Sequence, residues 1–150
     1  MLIDLKKSKM NTAIFEDNKK LIETYFYRVW NNGELDLLDT ILDEKYVNHS
    51  PGGSNIPPPG AVSLKPIIAA MRKGFPDLHY SINDLVITET RIVARVTMTG
   101  TLLGELWGMQ PNGKKITVQQ VNIEYVKNGR ISEHWRLTDE LTMMKQLQQL

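Results

Sequence analysis

The stretch Lys115-Ile116-Thr117-Val118-Gln119-Gln120-Val121-Asn122-Ile123-Glu124-Tyr125-Val126-Lys127-Asn128-Gly129-Arg130-Ile131-Ser132-Glu133-His134-Trp135-Arg136-Leu137-Thr138 carries two segments rich in β-branched and aromatic residues around a single break. Asn128-Gly129 is the strongest short hairpin signal, because both central residues of a type I′ turn take positive φ. Lys115–Val126 and Arg130–Thr138 are therefore read as antiparallel neighbours. In the first, Gln120, Asn122 and Glu124 share one face, and Gln119, Val121, Ile123 and Tyr125 the other. In the second, Ser132, His134 and Arg136 alternate with Ile131, Glu133, Trp135 and Leu137. Patterning alone favours the common arrangement, with the polar stripe in water and the apolar stripe on the core.

Working outward, Leu78–Thr88 and Arg91–Leu102 read as two further strands, giving a four-stranded antiparallel sheet. The N-terminal half changes period. Phe15, Ile22, Tyr25, Phe26, Val29 and Trp30 recur at helical spacing up to a stop at Asn31-Asn32-Gly33. Leu35, Leu38, Ile41 and Leu42 predict a short second helix folded back on the first. Pro51–Gly60, with its Pro and Gly cluster, is a loop. A third helix is expected over Ser63–Lys73, with Ser63 as N-cap, Pro66 in the first turn, and Ile67, Ile68 and Met71 facing inward. Leu141, Met144, Leu147 and Gln148 predict a terminal helix capped by Thr138 or Asp139. The expected architecture is a single α+β domain over residues 1–150, with residues 1–13 a partly ordered lead-in. In it, a curved antiparallel sheet forms a cone packed against three N-terminal helices, with a short C-terminal helix and a ligand site in the hollow.

Composition narrows the function. Lys plus Arg is 18 against 17 Asp plus Glu, a formal net charge of +1, so the electrostatic footprint of a nucleic-acid binder is missing. With no cysteine there is no thiolate nucleophile and no Cys-ligated zinc site. Three histidines without paired spacing give no case for a metal, and apolar runs far short of ~20 residues give none for a membrane span. A cytoplasmic protein is expected, since the first residues do not read as a secretory signal.

Tyr27-Arg28-Val29-Trp30-Asn31-Asn32-Gly33, Tyr46-Val47-Asn48-His49, Phe75-Pro76-Asp77, the connection Gly100–Gly113 and Asn128-Gly129-Arg130-Ile131-Ser132-Glu133-His134-Trp135 together resemble the SnoaL-like polyketide cyclase (ester cyclase) family. The resemblance runs from about Asn18 to Leu150. It implies the cone fold shared with ketosteroid isomerases and nuclear transport factors. It also implies cofactor-free ring closure by intramolecular aldol condensation, and a polar stripe that lines the cone. By resemblance Asn48 is the pocket asparagine, Gln120 the pocket glutamine and His134 the last-strand histidine, while Asn122 stands where the family has a second histidine. The family's carboxylate base lies two residues after the last-strand histidine. Here that place reads His134-Trp135-Arg136, and an arginine cannot serve as a base.

The residues left for chemistry are His134 as acid/base, with Gln120 and Asn48 beside it as catalytic polar groups. Asn122, Arg136, Trp107, His49 and Tyr25 are the expected ligand-binding residues. Arg136 turned inward needs an anion, either Glu124 on the facing strand or a group on the ligand. Asp139 is read as a helix cap. Two functions follow. One is a cofactor-free cyclase or isomerase acting on a hydrophobic carbonyl-containing small molecule. The other is a non-catalytic binding protein for an apolar anion. A homodimer through the sheet is expected for either.

Overall fold

The computed structural model describes residues 2–50 and 57–149, with side chains from Asn11 onward; the Pro51–Ile56 part of the expected loop lies outside the described residues. Its centre is a curved, unclosed five-stranded sheet in the order β1-β5-β4-β3-β2, with helices on its inner face. The strands are β1 (Leu42–Asn48), β2 (His79–Ile87), β3 (Arg91–Thr101), β4 (Lys115–Lys127) and β5 (Arg130–Thr138). Four match the expected segments to within about a residue or two. In the β4–β5 turn Asn128 and Gly129 have φ of 51° and 72°, the type I′ signs.

The fifth strand is a correction. Leu42–Asn48, its first residue read as the end of a helix and the remainder assigned to no strand, pairs with β5 in parallel, so the sheet is mixed rather than wholly antiparallel. Its Asp43-Glu44-Lys45 centre hides the period-two signal. Charges of this kind are how an edge strand avoids pairing with other chains. Before it, only Leu38–Ile41 forms the α-helix α2, preceded by a 3₁₀ turn at Leu35–Leu37.

The first helix, α1, spans Leu2–Glu23, so the segment read as a lead-in is already helical. It continues as a π-helix over Thr24–Asn31, whose Tyr25, Phe26, Val29 and Trp30 are all buried. Such i→i+5 winding is rare and concentrates at functional sites. Asn31 fixes its end: its Nδ2 donates to Tyr80 O at 2.9 Å and its Oδ1 accepts from Tyr80 N at 2.7 Å, as a strand neighbour would. From the third helix, Arg72 Nη1 donates to the carbonyls of Trp30 and Asn31, satisfying C-terminal acceptors that the helix leaves open.

That third helix, α3, runs Ala61–Gly74 with Gly60 at its N-cap. Ser63 is inside it rather than capping it, its Oγ donating to Gly60 O at 2.9 Å, and Pro66 therefore falls beyond the first turn. The Gly100–Gly113 connection crosses the end of α3, where the amides of Leu103 and Gly104 both donate to Gly74 O at 3.0 Å. A Cβ on Gly104 would stand 2.2 Å from Lys73 O, so only glycine allows this approach. The terminal helix α4 (Glu140–Gln146) is capped by Asp139, as the spacing predicts. Ile22, Phe26, Val29, Leu38, Ile68 and Phe75 pack on Ile92, Ala94, Val96, Met98, Ile116 and Val118 of the inner sheet face.

Candidate functional site

The inner face of β4 presents Gln120, Asn122 and Glu124, and that of β5 presents His134, Arg136 and Thr138, paired as Gln120 with Thr138, Asn122 with Arg136 and Glu124 with His134. The polar stripe is thus inside the cone. Gln120, Asn122, Glu124 and His134 are all buried, at 4%, 1%, 0% and 2% exposure. Burial at this level requires partners.

The register that aligns them depends on one residue. Near the turn, Lys127 pairs with Arg130 and Val126 with Ile131, but the next pair is Tyr125 with Glu133, leaving Ser132 as a bulge. Without it His134 would stand opposite Ile123 and share the outer face. Ile131 is correspondingly buried, not grouped with Glu133, Trp135 and Leu137 as simple alternation expects.

Glu124 and His134 form a closed pair, with Nδ1 2.7 Å from Oε1. An ionised carboxylate only accepts, so Nδ1 carries the proton, and in the neutral imidazole Nε2 presents its lone pair. Nε2 has no hydrogen-bond partner among the described residues. The Tyr25 ring lies 6.2 Å from the imidazole, centroid to centroid. Three buried polar atoms close by have no partner among the described residues: Glu124 Oε2, Asn122 Nδ2 and Tyr46 Oη. Burial pushes the Tyr25 phenol up, and the Glu124 carboxylate raises it further. Tyr46 is raised in the same way, by burial first and then by Tyr25 and Glu124. Tyr80 is pushed up to about 12 by burial, against the opposing charge of Arg136. All three phenols remain protonated donors at neutral pH.

Glu124 is therefore the partner of His134, not of Arg136, correcting one of the two pairings open to Arg136. Arg136 makes no hydrogen bond or ion pair with any described residue, although its charge reaches Tyr25, Tyr46 and Tyr80. It lines a cavity walled by Trp30, Ile67, Met71, Tyr80, Met98 and Met143, with Gln120, Thr138, Trp107 and Glu140 completing it. The cavity leaves about 70 Å³ for the centres of water molecules. At about 10–15 Å³ of such space and about 30 Å³ of liquid per water, that matches a small ring compound.

The remaining expected site residues scatter. Trp107 stands at the cavity mouth, 64% exposed and at positive φ. Asn48 is buried level with His134 across the β1–β5 pairing, but its Oδ1 is engaged by Ser50 N at 2.9 Å. His49 is a correction: it pairs with Glu133 at 3.0 Å and stacks on Trp135 at 4.1 Å, outside the cone, because strand alternation turns it away from Asn48. Glu124 and Tyr46 are site residues that sequence reasoning did not single out as such. Glu124 lay on the marked polar stripe, whereas Tyr46 sits on the unexpected strand. Among the described residues no group of three or more His, Asp or Glu stands close enough to hold a metal.

Against known proteins, the family model described as SnoaL-like polyketide cyclase matches residues 20–147. No curated protein matches the chain. Among solved structures, TsrD from Streptomyces laurentii superposes with a TM-score of 0.80 at 25% identity, covering 90% of this chain and 97% of that one. IdmH, a proposed polyketide cyclase from Streptomyces antibioticus, gives a TM-score of 0.74 at 28% identity over 87% and 97% of the two chains. A proposed polyketide cyclase from Bacillus cereus is 32% identical with a TM-score of 0.67, over 81% of this chain and 74% of its own.

Proposed function

This chain belongs to the SnoaL-like polyketide cyclase family, and on that premise we propose that it performs cofactor-free acid/base chemistry next to a carbonyl in a hydrophobic small molecule. The observation that carries the reading is the buried Glu124–His134 pair at 2.7 Å, with Nε2 unpartnered among the described residues. A carboxylate that fixes the ring and its tautomer makes the far nitrogen a positioned base.

In the reaction, Nε2 of His134 removes a proton from the carbon beside a ketone, and the electron pair moves onto the ketone oxygen as an enolate. Asn122 Nδ2, buried and unpartnered among the described residues, and the Arg136 guanidinium would donate to that charge. For ring closure, the enolate carbon attacks a second carbonyl carbon of the same molecule, and the imidazolium returns its proton to the resulting alkoxide. For isomerisation, the proton goes back to a different carbon. The base thus comes from the last strand's histidine, and the Arg136 that replaces the family's aspartate takes the electrostatic part.

The reaction is tested by hydrogen–deuterium exchange at carbons beside the ketone, followed by NMR in D₂O over a panel of aryl ketones and cyclic 1,3-diketones. The protein should accelerate exchange, and His134→Ala should lower the rate by about 100-fold or more. Equal rates with and without the imidazole would remove His134 as the base. A second reading, a non-catalytic binder of an apolar anion, is favoured by the unpaired Arg136 on the cavity wall. Ligand binding to the native protein without any exchange would select it.

A further inference from the structure

Arg136 sits between the cavity and the buried pair. Its register partner is Asn122, one inward step along the hairpin from Gln120–Thr138 at the cavity and one from Glu124–His134. Each step is about 7 Å along the strand. The guanidinium has five donors and no hydrogen bond to any described residue, on a wall that is otherwise mostly Trp, Ile, Met and Tyr. In so apolar a setting an unmatched cation favours a ligand that brings the negative charge itself. Among the described residues the other charged one lining the cavity is Glu140, of opposite sign, which disfavours a dianion such as phosphate.

We propose that the ligand is an apolar oxo-carboxylic acid, its carboxylate held by Arg136 and its ring or chain lying in the cavity toward Trp30 and Met98. The inference rests on the proposed acid/base function and adds the substrate class: a free acid, not its ester. A planar bidentate pairing would fix the acid and with it the orientation of the rest of the ligand in the cavity.

The test uses 3-benzoylpropionate and its methyl ester, which differ at the acid group alone. Dissociation constants from titration calorimetry should favour the acid by about 10- to 100-fold in the native protein, the range for one charge-assisted pairing. In Arg136→Met the acid-to-ester ratio should fall toward one, and in Arg136→Lys it should keep part of its value. Thermal melts of both variants identify any that do not fold, and the lysine variant preserves the charge if the methionine variant fails. Equal affinity for acid and ester, no binding of either, or a preference that survives Arg136→Met would overturn the proposal. Deuterium exchange of the same two compounds separates the outcomes. Exchange of the ester with no preference for the acid leaves the acid/base function standing without this substrate class, whereas acid-selective binding without exchange does the reverse.

Discussion

Glu124 has no exposed surface and a single partner, Nδ1 of His134 at 2.7 Å. In the proposed chemistry it positions the imidazole. Replacing it with glutamine keeps volume and burial but offers Nδ1 an amide, which can donate to the ring and turn the tautomer around. We therefore expect Glu124→Gln to lower the deuterium-exchange rate at saturating ketone by roughly 10²- to 10⁴-fold, as when a triad carboxylate becomes an amide, with little change in KM. Exchange at the native rate would show that the pair is structural. Truncation to alanine is the poorer test, because it leaves a cavity and an unpaired buried imidazole.

At the scale of an element, α4 closes the chain over the cone and depends on its first residue. Asp139 accepts from Thr142 N at 3.1 Å, and hydrogen bonding from Thr142, through its side chain and then its backbone amide, holds the Asp139 carboxyl below the usual aspartate range. A group depressed in the folded state adds stability that is complete above its unfolded pKa of about 3.9 and disappears as pH falls through the lower folded value. Asp139→Ala should lower the Tm at pH 7 by a few degrees, and the difference from the native protein should close as the melts are taken toward pH 2. Asp139→Asn, also a good cap, should lower the Tm less at pH 7 and lack that acid-dependent change. A Tm difference that persists unchanged to the lowest pH would remove the carboxylate from the account. Exposed on the surface and engaged by its own helix, Asp139 has no place in the buried chemistry.

For the whole molecule, the outer face of the sheet is the surface left over. Val93, Ile123 and Trp135 pair across β3, β4 and β5, with Arg95, Val121 and Leu137 in the next row and a groove of about 340 Å³ bordered by Val121, Ile123, Trp135 and Leu137. Leu137 is 80% exposed, which is costly for a leucine beside a half-exposed tryptophan. In the row on the other side, Arg91, Tyr125 and Glu133 run across the same strands. A two-fold axis parallel to β4 would set Arg91 of one copy opposite Glu133 of the other in one row and lay the Val93, Ile123 and Trp135 rows of the two copies against each other. A homodimer through this face is the expected assembly, and light scattering should report twice the chain mass. Leu137→Asp should give monomers that still melt cooperatively. A native monomer at micromolar concentration would leave the face without this partner.

The sequence by itself determined the α+β class, the β4–β5 hairpin, the Asp139 cap and the stripe carrying Gln120, Asn122, His134 and Arg136, because turn chemistry, capping and side-chain period are local properties. Three matters were decided only in the tertiary structure. β1 exists because β5, some 85 residues away, offers it a parallel partner, and its own charges conceal it. His134 faces Glu124 because Ser132 bulges, and a one-residue shift of register leaves no mark in composition. Arg136 has no counter-ion among the described residues because the folded register sets it opposite Asn122 and sets Glu124 opposite His134, and which neighbour a buried carboxylate pairs with is settled by distance in the folded chain.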